Sequence, residues 1–434
     1  MESLITDTST HPVIGVFPNN WEFSRFGREF ERSNERNGDS PIGPMLSVSE
    51  YRGIEVRTNF RDGQLPSEDV AHYRVVRPGQ LVANLMWLDH GGLGVSHFPG
   101  YVSPAYMAFN ISERVDPTFA HHVLRSSVYV DSYKRLGRGV RPNSQMVDSV
   151  DLRQLPFPLP PFETQQRIAD YLDRETADID AAVADLDKYV ELLDKRRQVM
   201  IAQSVTRGIG SDRIGFYHPS GMSELSPRDK HRLYPWLAFS NPDWEEVRFD
   251  SFLRLKKQTV GDKWSTTPLL SLTLRGVILR DITNNEGKMP ASFADYQTVA
   301  PGDLVLCLFD LDETPRTVGL SPLAGMITSA YTVFEIDETV VDPLFFEFFL
   351  IHIDNGKMFK PIYSGLRKVV RKDALGQVLM KLPPLETQIQ IASNLQNETA
   401  EIDSLIAKST KLRDLLLKRR SVLITEVVTG RKQV

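Results

Sequence analysis

From Leu159 the chain reads LPPFETQQRIADYLDRETADID, and from Leu382 it reads LPPLETQIQIASNLQNETAEID. The copies align without a gap at an offset of 223 residues (382 − 159) and stay about half identical through Thr206 and Thr429. A duplication of this kind constrains the fold more than composition does, because whatever the first copy builds, the second must build too. The repeat is also longer than the quoted phrase. Trp21-Glu22 matches Trp244-Glu245, Arg25-Phe26 matches Arg248-Phe249, and Pro78-Gly79-Gln80-Leu81-Val82 matches Pro301-Gly302-Asp303-Leu304-Val305. With a slip of two residues SPAYMAF (103–109) answers TSAYTVF (328–334). The chain therefore reads as two tandem units, each a mixed globular segment followed by a helical one. Only the helical segments have kept their sequence. They perform one shared task, and the globular segments perform two different ones.

Pro160-Pro161 and Pro383-Pro384 end extended chain and open helices that run without Gly or Pro to about Gln203 and Glu426. Apolar residues recur by sevens. One column holds Leu172, Ile179, Leu186, Leu193 and Met200, matched by Leu395, Ile402, Ser409, Leu416 and Leu423. A second column is expected at Ile168, Glu175, Ala182, Tyr189 and Arg196, matched by Ile391, Glu398, Leu405, Leu412 and Arg419. A seven-residue period over five heptads is a coiled-coil seam, and about 40 residues at 1.5 Å each span roughly 60 Å. Antiparallel pairing of the two helices is expected, because it brings Glu175 toward Arg419 and Arg196 toward Glu398 instead of stacking like charges.

The globular segments read as short strands with one amphipathic helix each. RVVRPGQLVANLMW and TVAPGDLVLCLFD give extended chain, a Pro-Gly turn and a β-rich run. DPTFAHHVLRSSVY and DPLFFEFFLIHID open with Asp-Pro and continue as helix. The predicted class is α+β: two mixed α/β domains separated by a long antiparallel two-helix coiled coil, as a pseudo-twofold tandem repeat. Its parts are 1–158, a helical segment 159–210, a linker 211–240, a second globular segment 241–381 and a second helical segment 382–434.

Composition removes several function classes. No apolar run approaches the roughly 18 residues of a membrane helix. The densest, LFFEFFLI (344–351), is short and carries Glu347. The N-terminus has no basic flank and no apolar h-region, so the cytoplasm is the expected location. Cys307 is the single cysteine, which excludes an internal disulfide or a thiolate metal cluster, and it is expected to be a buried apolar residue. GGLGVSH (91–97) fails the dinucleotide fingerprint because His97 stands at its third glycine position. EGKM (286–289) lacks the rest of a phosphate loop, and Asn241-Pro242-Asp243-Trp244 lacks the second proline of a base-methyltransferase tetrad. Asp281, Glu286 and Lys288 only faintly suggest a metal site, and His121-His122 read as helix packing. The chain positions something on which another protein acts. Net charge is −5, but basic clusters stand ahead of each helix, and before residue 158 every basic residue except Lys134 is arginine. Arginine's planar fork suits phosphate and guanine edges.

LVANLMWLDHGGLGVSHFPGYVSPAYMAF followed by an LPPFETQQRIADYL helix ending in DKRRQ resembles the specificity (S) subunits of type I restriction–modification enzymes. The duplicated plan covers essentially the whole chain. The second unit departs from the pattern where LVLCLFDLDETPRTVGLS lacks the Gly-rich turn. The resemblance implies a non-enzymatic subunit whose globular segments are target-recognition domains, each reading one half-site of a bipartite sequence in double-stranded DNA. The coiled coil would hold the readers roughly one duplex turn (about 34 Å) apart. It also implies two methyltransferase (M) subunits and two restriction (R) subunits as partners, and no membrane. No cofactor is expected on this chain, with S-adenosylmethionine on the methyltransferase subunit and ATP with magnesium on the restriction subunit. The competing readings are a coiled-coil adaptor with two protein-recognition domains, and a self-contained methyltransferase or nuclease.

Two residue sets follow. The loops before the helices, LGRGVRPNSQ and YSGLRKVVRK, combine glycine with small polar and basic residues. Their DNA contacts are expected from Lys134, Arg135, Arg138, Arg141, Asn143 and Gln145, and from Tyr363, Ser364, Arg367, Lys368, Arg371 and Lys372. Polar residues shared by the two helices, Glu163, Gln165, Lys195 and Arg197 with Glu386, Gln388, Lys418 and Arg420, are expected on outward faces as docking points for an identical partner. Helix capping and charge–dipole balance are the alternative role for them.

Overall fold

The structure, a computed structural model, describes residues 8–11, 15–38, 41–49, 53–57, 69–139, 146–209, 234–280 and 292–434. The chain divides into two compact units, residues 1–188 with 410–434 and residues 189–409.

In the first unit a four-stranded antiparallel sheet has the order Phe30–Ser33, Tyr106–Ile111, Leu81–Asn84, Leu93–Val95. Alternation along the strands sends neighbours to opposite faces. Leu81, Ala83 and Phe109 join a core with Phe26, Phe119 and Phe157, and Val82 and Ala108 join a second core with Leu46, Ile54, Val76 and Val102. The second unit repeats the order with Leu253–Leu255, Thr332–Ile336, Leu304–Leu306 and Val318–Leu320. Its central strand likewise divides Leu304 and Leu306 from Val305 and Cys307 between two cores. Cys307 is buried among apolar side chains. The Pro-Gly turns recur too: Gly79 and Gly302 have φ of +83° and +90°, which disfavours a side chain there. Their N–H groups donate to Ser96 O and Ser321 O, both at 2.8 Å.

Each Asp-Pro helix starts as its sequence dictates. Asp116 caps Pro117–Arg125 by accepting from Phe119 N, and Asp342 caps Pro343–Asn355 by accepting from Phe345 N. Of the linker expected over 211–240, residues 211–233 lie outside the described residues, and Pro235–Phe239 form a 3₁₀ helix. Trp236 is wholly buried in the second unit's core with Leu304 and Leu306, and its indole N–H donates to Leu379 O at 2.8 Å.

The long helices run Phe162–Arg207 and Leu385–Val428. In the first unit Arg420 grips Asp180 with two hydrogen bonds, Nε–Oδ1 at 2.8 Å and Nη2–Oδ2 at 3.1 Å, and Arg413 meets Asp187 at 3.3 Å. In the second unit Arg197 meets Asp403. The pairing within each unit is antiparallel, but the expected ion pairs Glu175–Arg419 and Arg196–Glu398 are not the ones that form. The reason is a seam displaced by one residue. Leu172, Ile179 and Leu193 are buried as expected, but their partners in the 3–4 alternation are Thr176, Val183, Val190 and Arg197, not Glu175, Ala182, Tyr189 and Arg196. The second helix does the same with Thr399, Ile406, Arg413 and Arg420. Both columns satisfy the heptad, so periodicity alone could not choose between them.

Candidate nucleic-acid interface

In each unit, the loop ahead of the long helix joins the loop that follows the second strand of the sheet. Val147 N donates to Leu85 O at 3.1 Å in the first unit, and Val370 N donates to Leu308 O at 2.9 Å in the second. The two bonds occupy equivalent places in the repeat, so each unit carries one composite loop surface.

In the first unit the chain after Asn84 makes a short 3₁₀ turn, Leu88–His90, closed by Gly91 at φ +70°. Leu88 anchors it in the core, while Met86 and Trp87 stay exposed. The Trp87 ring stacks on His90 with centroids 5.6 Å apart. The turn is held from the Asp-Pro helix, whose Arg125 Nη1 donates to Gly91 O at 2.8 Å and also to Leu93 O and Ser49 O. His121 sits behind it. Its Nδ1 accepts from Val95 N at 3.2 Å, and a Cβ on Gly53 would stand 2.6 Å from its Cε1, so only glycine fits there. His122 Nε2 meets Asp173 Oδ1 of the long helix at 2.7 Å.

Of the residues expected to touch DNA here, Lys134 is exposed and 3.5 Å from Asp131. Arg135 donates to Ser132 Oγ at 3.3 Å, and Arg138 pairs with Asp151 at 2.6 Å. Arg141, Asn143 and Gln145 lie outside the described residues.

In the second unit, the basic residues divide into two groups. Ser364 and Val369 close a hairpin with reciprocal backbone bonds of 2.8 and 3.0 Å. Arg367 pairs with Asp310 at 2.5 Å and lies over the Phe309 ring, 5.0 Å from its centroid. Lys368 meets Asp312 at 3.1 Å and Glu313 at 3.2 Å, and the Tyr363 hydroxyl donates to Asp312 at 3.3 Å. These cations are engaged in holding the two loops together. Arg371 and Lys372 are exposed and, among the described residues, make no ion pair, which leaves their charge for a ligand. Asp281, Glu286 and Lys288 lie outside the described residues.

The polar residues assigned to docking separate in the same way. Glu163, Glu386, Lys195 and Lys418 are exposed. Gln165 and Gln388 are not outward at all. Both are buried, and each amide oxygen accepts from the backbone N of the Asp cap, Asp116 at 2.9 Å and Asp342 at 2.8 Å. Each amide nitrogen donates to two carbonyls, of Arg114 and Pro160 in one copy and of Val340 and Pro383 in the other. Arg197 and Arg420 face the seam and pair across it. Periodicity displaced by one residue explains the error: a guanidinium read as outward belongs to the seam column.

The displacement leaves something else outside. Tyr189, Leu192 and Val199 are 43, 53 and 56% exposed, and their repeat equivalents Leu412, Leu415 and Val422 are 49, 54 and 47% exposed. Each triplet has the 3- and 7-residue spacing of one helix face. Leu192/Leu415 and Val199/Val422 are identical in the copies although the seam does not use them.

Two partly buried histidines set a pH dependence. Burial, with the Arg125 guanidinium next, pushes the His121 imidazole well below its ordinary range, and burial holds His352 down to about 4. In the unfolded chain both titrate near about 6.5. The unfolded state therefore takes up protons that the folded state refuses. Stability present above about pH 6.5 is lost as pH falls, by about 1.4 kcal/mol per pH unit for each group, and the His352 contribution levels off below its folded value. Glu347, whose carboxyl burial raises above the ordinary carboxylate range, works in the opposite sense: stability rises as pH falls through its raised folded value toward the ordinary one. Denaturant unfolding at pH 7.5, 6.0 and 5.0 checks this: His352→Gln is expected to lower the slope by one proton, and an unchanged slope would remove His352 from the account.

No protein-family profile matches the chain. It is 21% identical over 451 aligned positions to a Methanocaldococcus jannaschii protein described as the MjaX type I restriction enzyme specificity subunit, covering 97% of this chain and 96% of that one. The chain is similar along nearly its whole length to a type I restriction enzyme specificity subunit. A solved chain, from a structure described as the basis of complex assembly and conformational transition of the type I R-M system, matches with a TM-score of 0.58 and 14% identity. That match covers 95% of this chain and 98% of the other, and it supports the same fold. The HsdS subunit from Thermoanaerobacter tengcongensis gives a TM-score of 0.44 at 16% identity over 95% and 98% of the two chains. No described helix is long and apolar enough to cross a membrane.

Proposed function

We propose that this chain is the DNA-reading subunit of a type I restriction–modification complex, without catalytic activity of its own. Each unit reads one half-site of a bipartite duplex target through its composite loop surface, and the helices fix the spacing. The observation that carries this reading is the contrast within the repeat. The loop surfaces stand at equivalent places and differ in almost every side chain, while the exposed helix faces keep the same leucine and valine, Leu192 and Val199 with Leu415 and Val422. Two different half-sites require the first, and two copies of one partner require the second. That partner is a methyltransferase subunit, which brings S-adenosylmethionine; restriction subunits bringing ATP and magnesium join the assembly. The full-length relative from Methanocaldococcus jannaschii supports the assignment.

The free cations give the test. In the assembled methyltransferase complex, Arg371→Ala with Lys372→Ala is expected to weaken duplex binding about five- to tenfold near 0.1 M salt and to lower the slope of log K against log salt by about two. Both effects should be equal on cognate and unrelated duplexes, because phosphate contacts carry no sequence. A wild-type complex with no salt-dependent affinity for DNA would favour the protein adaptor instead.

A further inference from the structure

Leu366 is the most exposed large apolar side chain of the described residues. It stands at the apex of the hairpin that Ser364 and Val369 close, and the hairpin is stiffened beyond what a surface loop requires. Gly365 takes φ +69°, and Lys368 is held at φ +48°, a conformation that residues with a Cβ rarely adopt. Asp310, itself at φ +48°, accepts the Arg367 guanidinium and donates its backbone N–H to Arg367 O at 2.8 Å. Lys368 is clamped by Asp312 and Glu313. Every side chain flanking Leu366 that could carry charge to a ligand is directed back into the neighbouring loop, and the isobutyl group alone projects forward. Two non-glycine residues at positive φ and three ion pairs hold the hairpin in one geometry.

We propose that Leu366 is an apolar probe of the bases in the half-site read by the second unit, contacting a base edge or step where a leucine side chain would lose its water. Arg371 and Lys372, immediately after the hairpin, supply the phosphate contacts that bring it there. Apolar side chains serve at such positions because they report thymine methyl groups and deformable steps without a hydrogen-bond code. The inference rests on the DNA-reading assignment above and refines it. In the first unit the repeat equivalent of Leu366, Asn143, lies outside the described residues, while the loop after the second strand carries exposed Met86 and Trp87 where the second unit has Phe309 and Asp310.

The experiment uses the assembled methyltransferase complex and two duplexes, one carrying the target mapped from its methylation pattern and one unrelated in sequence. Leu366→Ala is expected to weaken cognate binding about tenfold and to leave unrelated binding unchanged, with Leu366→Met retaining most of the affinity. Because the side chain makes no packing contact to lose, the melting temperature of the chain should not move. Equal losses on both duplexes, or no loss on either, would overturn the proposal. Failure of the wild-type complex to discriminate the two duplexes would instead sink the underlying assignment, and is seen before any substitution is made.

Discussion

Leu192→Asp together with Val199→Asp is expected to produce a stably folded chain that binds one methyltransferase subunit in place of the two proposed for the parent. Leu415→Asp with Val422→Asp should remove the other copy, and the fourfold variant should bind none. The effect is large because each face loses a leucine and a valine from a buried contact, about 1.5–3 kcal/mol apiece, and gains two carboxylates that a partner would have to desolvate. A loss of at least about a hundredfold in affinity follows per site. Folding should be spared, since all four side chains are about half exposed or more in the free chain and lie off the seam. Lys195 and Lys418 flank the same faces, so their reversal to glutamate should weaken docking to a smaller degree. Native mass spectrometry of the mixed subunits reads the stoichiometry. Two bound copies at unchanged affinity in the Leu192/Val199 variant would show that the exposed stripe is not the docking face.

The second large effect has the opposite signature. Gln165→Ala or Gln388→Ala should destabilise the unit concerned by about 3 kcal/mol, on the order of 8 °C in Tm, and leave the number of docked subunits at two. Each amide satisfies one buried backbone N–H and two buried carbonyls where the Asp-Pro helix meets the start of the long helix. Truncation strands all three. Glutamate is nearly isosteric yet cannot donate to two carbonyls, so Gln165→Glu should fail almost as badly, which separates lost hydrogen bonding from lost volume. A variant that melts like the parent but fails to dock would restore these glutamines to the partner surface.

The sequence by itself determined the tandem plan, both long helices, the Asp-Pro caps and the burial of Cys307. It gave the antiparallel sense of the helices correctly, but from ion pairs that do not form. The first four depend on short-range rules or on a gapless internal repeat, and both are visible along the chain. It also located the two loops that lie beside the sheet ends. Tertiary structure decided the rest. Two heptad columns one residue apart are equally periodic, and only packing shows that Thr176, Val183, Val190 and Arg197 face the seam while Tyr189, Leu192 and Val199 do not. The identical glutamines looked outward because polar residues usually are. Their burial depends on three backbone partners, two of them brought from about fifty residues away in each copy. Charge was read as a cluster in YSGLRKVVRK, yet Asp310, Asp312 and Glu313 lie more than fifty positions earlier and neutralise half of it. A cation's availability is set by which carboxylates fold against it, and that is a property of the folded loops rather than of the string in which the cation stands.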